Sequence, residues 1–551
     1  MKSNRHLWIS FIFGGLLAAA AFVCIYGFRV LIPTYDDWLL FTRDGVDNMQ
    51  HYQGWVAYRR SPWQFPLGLT EGILYPDRIS VIYTDSVPLF AFIFKLLSPL
   101  LPETFQYFGI FGLLCAFLLG AFSAAFICRF TDRPLFSSLC ALFFATAFVF
   151  LHRMFYHTAL AAQWIVVASL FLWLAVPYKK EGFGGVRAVS WTLLSVTAIL
   201  TEAYFLPMVW GIMLCDLIAY GLGKKDIRSF AGALVITMGP AAVFTVLIGW
   251  CFGLFYGDVQ SSGLGLGVYT FNLINFVNPF WMSSVIPWLP SDFFQYEGLA
   301  YLGLGVLGLI PVAVVLWIRG RSKDEPVDIS MWLPLVIFFV GFSVAAISPV
   351  VSIGDHRFTV PIPDTLWELW STFRSCGRMI WPVYYLIILA VCTGLGRYAG
   401  CEKVAVSILM AALVIQMYDA HGYIEDLNEK FSTPHEYVSS LRDPKWDEIG
   451  KNYEHIAVCP DVHDVYYTYE GEELEYFALQ KGLTMNIVYT AREVSKQVNE
   501  RMEKELDAIR SGEAGPDRKT VYVFLNGKKD KSLPLNYYKL NGYTIGVAGE
   551  L

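Results

Sequence analysis

A polytopic α-helical membrane protein closed by a soluble α/β domain is the fold class this chain predicts, and three observations carry that expectation. Of its 551 residues, 55% are hydrophobic, 16% aromatic and only 16% charged. A soluble protein carries about 25% charged residues, and the mean hydropathy here is +0.47. Apolar runs long enough to cross a bilayer recur between residues 7 and 418. Beyond residue 420 the acidic residues and lysines become dense, and helix-like and strand-like stretches alternate.

The first span follows Lys2 and Arg5 and runs from Leu7 to Phe28. It exceeds the apolar core of a signal peptide, about 7–15 residues, and no small-residue cleavage site follows, so it reads as a membrane anchor. Further runs come at 106–128, 134–152, 157–177, 204–222, 230–252, 298–318, 329–349, 379–397 and 402–418. The segment 188–222 is too long for one span and short for two. Basic residues decide how to read it: Arg129 and Arg133; Lys179, Lys180 and Arg187; Lys224, Lys225 and Arg228; Arg319, Arg321 and Lys323; Arg397 and Lys403. A hairpin turning near Thr201-Glu202 keeps all these clusters on the cytoplasmic side. About eleven spans result, with the amino terminus inside and the carboxyl terminus outside.

The run Asp85–Leu101 holds Lys95 and is bounded by Pro88, Pro99 and Pro102. It suits an amphipathic helix at the outer membrane interface better than a span. The first outer loop therefore extends over residues 30–105, within a membrane domain of residues 1–419. The tail, residues 420–551, reads as an extracytoplasmic α/β domain with a largely parallel sheet. Its helices are expected at Glu472–Lys481 and Ala491–Ser511, and its strands at Ile456–Val458, Met485–Tyr489, Val521–Leu525 and Tyr543–Val547.

A net charge of −6 over this length argues against a nucleic-acid partner. The ten cysteines show no metal spacing, and most lie in apolar runs as small buried hydrophobes. Only Cys376 and Cys459 fall in outer segments and are left able to pair.

Every polar irregularity of the membrane domain falls on the outer face. The first loop gathers Asp36, Asp37, Asp47, His51, Arg59, Arg60 and Asp85 among tryptophans. Ionisable groups so near a bilayer are costly unless they are solvated and functional. Asp47 and His51 stand one helical turn apart. A carboxylate here can act as general base on an acceptor hydroxyl; simple solvation of isolated acids is the plainer alternative. Arg153 lies between spans beside His152 and His157. Arg374 and Arg378 are spaced to project from one helix face and suit a phosphate, with snorkelling to lipid headgroups as the alternative. In the loop 253–297, the glycines from Gly263 to Gly267 suit a flexible cover, and Tyr269, Asn272 and Gln295 suit sugar hydroxyls, with plain loop flexibility as the equal alternative. Glu202, at the hairpin tip, fits a functional or a structural role equally.

These words together resemble the GT-C superfamily of polyprenyl-phosphate-sugar-dependent glycosyltransferases, and more closely an uncharacterised bacterial family of that fold. The matching words are Asp47-x-x-Gln50-His51-x-x-Gly54-Trp55, Pro62-Trp63-x-x-Pro66-Leu67-Gly68 and Tyr83-x-Asp85-Ser86-x-Pro88-Leu89. Further along stand Gly265-x-Gly267-x-Tyr269-x-x-Asn272-Leu273, Gln295-Tyr296-Glu297-Gly298 and Phe373-Arg374-x-x-Gly377-Arg378. The resemblance implies a polyprenyl-phosphate sugar donor and a cell-envelope glycan or lipid as acceptor. It also implies an inner or plasma membrane location and, in some members, a divalent metal such as Mg or Mn. Within the loop it moves the expected base from the Asp36-Asp37 pair to Asp47, with His51 orienting it. Arg153, His157, Arg374 and Arg378 become the expected donor-phosphate ligands, and Asp85, Glu202, Tyr269, Asn272, Gln295 and Glu297 further substrate contacts. A transporter or flippase of lipid-linked sugars is the alternative from another class, but the acids crowd one face and no inverted repeat is visible.

Overall fold

In a computed structural model, the described residues are 4–40, 47–178, 182–257, 266–320, 328–459, 469–488, 490, 495–525 and 527–551. Lys179, Lys180, Arg321, Lys323, Gly263 and Gly265, singled out in the sequence, lie outside them. Among the described residues, eight helices are long and apolar enough to cross a membrane: Asn4–Tyr26, Phe108–Thr131, Thr158–Ala175, Phe205–Lys224, Ile227–Phe252, Ile329–Ile347, Cys376–Tyr398 and Glu402–Ser432. Three shorter apolar helices, Pro134–Ala145, Gly185–Thr201 and Leu304–Gly320, join them. The protein is thus a multi-pass membrane protein. The 188–222 segment does divide into two helices, with Glu202 ending the first in an extended conformation. Asp85–Leu101 holds only the nine-residue helix Pro88–Leu96 and a 3₁₀ turn at Ser98–Leu100. At 1.5 Å per residue the helix covers about 13 Å, too short to span.

The chain forms two compact units. The first comprises Met1–Pro33, Tyr107–Val246 and Ser262–Pro434. Small residues let its helices touch: a side chain at Gly14 would meet Ala124 Cβ at 2.4 Å, and one at Gly120 would meet Ala18 Cβ at 2.4 Å. Such close backbone approach is how helices associate without water to drive them. Arg187, expected from the sequence to be a loop charge, is instead buried. Its Nε and Nη2 donate to Asp216 at 2.8 and 2.7 Å, and Trp191 Nε1 donates to the same carboxylate.

The second unit comprises Thr34–Gln106, Leu247–Ser261 and His435–Leu551. The first loop therefore shares a unit with the tail, whereas the sequence places the division between residues 419 and 420. That point lies inside the helix Glu402–Ser432. The tail sheet has strands β1 (His455–Cys459), β2 (Thr484–Met485), β3 (Thr520–Phe524), β4 (Asn536–Leu540) and β5 (Tyr543–Val547), in the order β2-β1-β3-β5-β4. The sheet is mixed rather than largely parallel: β1 pairs in parallel with β2 and β3, and the β4–β5 hairpin adds antiparallel pairs. The first loop bonds to the edge strand β2: Met485 N donates to Gly72 O at 2.7 Å and Tyr75 N to Met485 O at 2.8 Å. Ala57, Ile73, Leu74 and Ile79 of the loop share one core with Trp446, Ile456, Val458 and Val521 of the tail. Burial of that common apolar surface drives the two segments together. All ten cysteines, Cys376 and Cys459 included, carry free thiols.

Candidate functional site

In the first unit the conspicuous feature is a buried cluster of three charges. Glu297 sits in the 3₁₀ helix Phe293–Gly298, Arg153 ends the short helix Phe148–Arg153, and Arg378 lies in the 3₁₀ helix Cys376–Ile380. Arg153 Nη2 donates to Glu297 Oε2 at 2.7 Å and Nη1 to Oε1 at 3.4 Å. Arg378 Nε donates to the same Oε2 at 2.7 Å. All three side chains are 5–7% exposed. Burial alone would raise the Glu297 pKa, but the two guanidiniums overcome it and hold the carboxyl well below its usual range.

Two glycines bring these groups together. A Cβ on Gly377 would stand 2.8 Å from Gly298 Cα, and one on Gly298 would stand 2.6 Å from Phe271 Cα. Gly377 N donates to Tyr269 O at 3.0 Å across this crossing. Each glycine is next in sequence to a charged member of the cluster, Glu297 or Arg378. The backbones can therefore meet only because these positions lack side chains.

The crossing also alters one expectation. Arg374 and Arg378 do not share a helix face, because Arg374 lies in a turn before the 3₁₀ helix. Its guanidinium instead stands 5.6 Å from the ring centre of Tyr269. Arg378 stacks over Tyr204 at 4.4 Å, and the Tyr204 hydroxyl accepts from Ser375 N at 2.9 Å. Arg153 lies 5.7 Å from the Tyr296 ring and 5.8 Å from that of Trp381. Two guanidiniums thus share one carboxylate, and Glu202 brings a second negative charge to bear on Arg378. Arg378 engages Glu297 through Nε, which leaves its two terminal nitrogens without a hydrogen-bond acceptor among the described residues. A buried cation with donors in reserve is suited to an anion.

The neighbouring predicted residues divide by role. Glu202 acts electrostatically on Arg378, and its carboxylate and an imidazole nitrogen of His157 approach within 4.8 Å. Asn272 is wholly buried and holds the loop itself, donating to Gln295 Oε1 at 2.8 Å and Gly354 O at 2.6 Å. Tyr204, Trp381 and His152 belong to the cluster and do not stand out in the sequence as site residues. The signal for them is aromatic residues next to turns, which is too common to be informative.

In the second unit, Asp47 precedes the helix Asn48–Arg60, and its carbonyl accepts from His51 N at 3.0 Å. A carboxylate oxygen of Asp47 and a ring nitrogen of His51 come within 4.8 Å. Burial pushes the His51 pKa down to about 3, so the ring is neutral at pH 7. Asp36 and Asp37 are engaged elsewhere: Asp36 accepts from Tyr52 OH at 2.7 Å, and Asp37 accepts from Tyr437 N at 2.8 Å. Asp85 is buried and adopts a left-handed conformation, φ 54°, at the turn before Pro88. The tail helix Tyr469–Lys481 adds two carboxyls that the sequence does not single out. Burial and the charge of Asp47 push Glu472 up to about 8. Burial and Glu472 push Glu475 well above its usual range. Gln53 Nε2 ties this helix to the first loop by donating to Glu472 O at 2.6 Å. The carboxylate and imidazole of Asp47 and His51 fit the donor chemistry of a divalent cation such as Mg, Mn or Zn.

Two solved structures overlay on the chain. One is the Archaeoglobus fulgidus oligosaccharyltransferase in the apo form, at 10% identity and a TM-score of 0.48, covering 94% of this chain and 69% of that one. The other is the archaeal oligosaccharyltransferase AglB from Archaeoglobus fulgidus in complex with an inhibitory peptide and a dolichol-phosphate. It shows the same identity and coverage and a TM-score of 0.41. Comparison with curated proteins gave no match. The family described as a domain of unknown function, DUF6311, matches residues 15–421, and its C-terminal domain matches residues 445–548. The chain belongs to the DUF6311 family.

Proposed function

We propose that the protein transfers a sugar from a polyprenyl-phosphate carrier to an extracytoplasmic acceptor, a cell-envelope glycan or lipid. The observation that carries this reading is the buried Arg153–Glu297–Arg378 cluster, with the spare donors of Arg378. An acceptor hydroxyl oxygen bonds to the anomeric carbon of the sugar as the bond from that carbon to the phosphate oxygen breaks. The hydroxyl proton passes to Asp47, the electron pair leaves with the carrier phosphate, and Arg153 and Arg378 neutralise the charge that develops there. In catalysis of this kind, stabilising such charge usually lowers the barrier more than any other single effect. His51, neutral through burial, orients Asp47 or the acceptor. Arg374 lies on the Tyr269 ring and is a further candidate for phosphate. Where a divalent cation takes part, Asp47 and His51 would hold it, and it would add positive charge for the phosphate.

The test incubates purified protein with a panel of polyprenyl-phosphate sugars and follows donor consumption by mass spectrometry. Asp47→Asn is expected to lower transfer by about 10²–10⁴-fold, the usual share of a general base, with the unfolding midpoint unchanged. Full activity in Asp47→Asn would refute its assigned role. Movement of intact donor across proteoliposomes without consumption would replace the transferase reading by a flippase.

A further inference from the structure

The helix Pro88–Leu96 and the turn Ser98–Leu100 after it are built with their charge turned inward. Pro88, Ala91 and Lys95, at i, i+3 and i+7, are the buried residues of the helix. The Lys95 ammonium lies beneath two rings, 4.1 Å from the centre of Tyr58 and 4.8 Å from that of Trp63. The other side carries Ile93, Leu96, Leu97 and Leu100, which are 42%, 56%, 42% and 84% exposed. Their i, i+3, i+4, i+7 spacing sets them on one stripe. The sequence leads one to expect Lys95 on the polar side of an amphipathic helix. Instead, every exposed residue between 88 and 100 is apolar. A helix facing water turns its charges out and its leucines in, so the inverse arrangement calls for an apolar surrounding.

The place where this helix is fastened says which one. Phe92, next to Ile93, packs on Phe252 with ring centres 5.2 Å apart. Phe252 is the last residue of the helix Ile227–Phe252, which is long and apolar enough to cross a membrane. The segment before Pro88 is fastened to the same end: Leu67 N donates to Cys251 O at 2.6 Å, and Ser80 Oγ to Phe252 O at 2.7 Å. A side chain on Gly68 would collide with that Phe252 carbonyl, so the backbones meet only because the position lacks one. All these residues lie in the second unit. At 1.5 Å per residue the long helix covers about 39 Å, more than the roughly 30 Å of bilayer hydrocarbon. Its end, and the short helix fastened there, therefore stand where headgroups give way to acyl chains.

We propose that Ile93, Leu96, Leu97 and Leu100 insert among phospholipid acyl chains and anchor the first loop in one leaflet. The wedge is tied in turn to the helix Asn48–Arg60, which begins beside Asp47. Arg59 Nη1 donates to Glu103 O and Nη2 to Pro102 O, both at 2.8 Å, and Trp55 Nε1 donates to Phe105 O at 2.8 Å. This docking is a property of the surface itself and does not require that the protein transfer sugar.

The test uses the full-length protein in nanodiscs of palmitoyl-oleoyl phosphatidylcholine. The photoreactive amino acid p-benzoylphenylalanine replaces Leu97, Leu100 or, as a comparison on the exposed edge strand β4, Lys539. Leu97, Leu100 and Lys539 are all exposed, so the fold should persist; the unfolding midpoint is measured for each. After illumination, covalent lipid adducts are counted by mass spectrometry. The adduct yield at both Leu97 and Leu100 is expected to exceed that at Lys539 by at least about five-fold, as acyl-chain contact requires. A smaller ratio at either position overturns the proposal. That holds if the probe stays unreacted, as in water, and equally if it joins two chains, which would assign the face to a second copy. Donor consumption is not read, so this outcome is independent of the transferase test.

Discussion

Glu297 and Glu472 are the same residue type, the first buried and the second half-buried, and they meet loss of water in opposite ways. In the first unit, two arginines hold Glu297 ionised. In the second, Glu472 stands near Asp47 and Glu475, and burial with like charge favours its protonated form. Desolvation penalises a carboxylate in both settings, and the sign of the nearest charge decides the outcome. The first arrangement keeps its charge over a wide pH range, as an anion site requires. The second changes its charge near neutrality, so its stability and its effect on Asp47 depend on pH.

The comparison breaks most directly at Glu297. Replacing it with Ala leaves two guanidiniums buried without their acceptor, and removal of one partner from a buried ion pair costs about 3–5 kcal/mol. A thermal unfolding shift of that size is expected for Glu297→Ala, whereas an unchanged midpoint would show that the arginines do not depend on this carboxylate. Gly377→Ala probes the same cluster through geometry. Its Cβ would stand 2.8 Å from Gly298 Cα, and overpacking of this kind costs about 1–3 kcal/mol. Unfolding midpoints should fall, and donor consumption should fall further than stability because Glu297 and Arg378 move apart.

The second unit is sharpened by pH. The folded pKa of Glu472, about 8, lies above the ordinary carboxyl value of 4.5. The folded state therefore binds more protons between those values, and stability is lost as pH rises through that window. The loss is on the order of a few kcal/mol at most. Hydrogen exchange of the helix Tyr469–Lys481 should accelerate as pH rises from 5 to 8, after correction for the intrinsic rate. Glu472→Gln should flatten that dependence; a profile identical to wild type would remove Glu472 as its source.

Much of the membrane architecture is legible in the sequence because hydrocarbon imposes a simple rule. A span must be apolar for about 20 residues, and composition alone reports that. The Glu202 turn and the non-spanning Pro88–Leu96 helix are also readable, from charge placement and proline. The strand Asn536–Leu540 is not. It is a partly exposed edge, and its run Asn-Tyr-Tyr-Lys-Leu does not follow a buried-strand pattern. Glu472 and Glu475 escape notice because acids in a charged tail are usually solvated. They also lie more than 400 residues from Asp47.

The sequence by itself determined which segments are apolar, where turns and prolines interrupt them, and which short words hold unusual charges. Gln295-Tyr296-Glu297-Gly298 and Phe373-Arg374-x-x-Gly377-Arg378 are both visible as words. Only the tertiary structure decided that they are halves of one cluster, joined where Gly298 and Gly377 let two backbones cross. Likewise, only the tertiary structure joined the first loop to the tail through a common core. Local sequence sets each segment's preference for water or apolar surroundings, but burial and charge pairing depend on distance, and contacts across hundreds of residues set those distances.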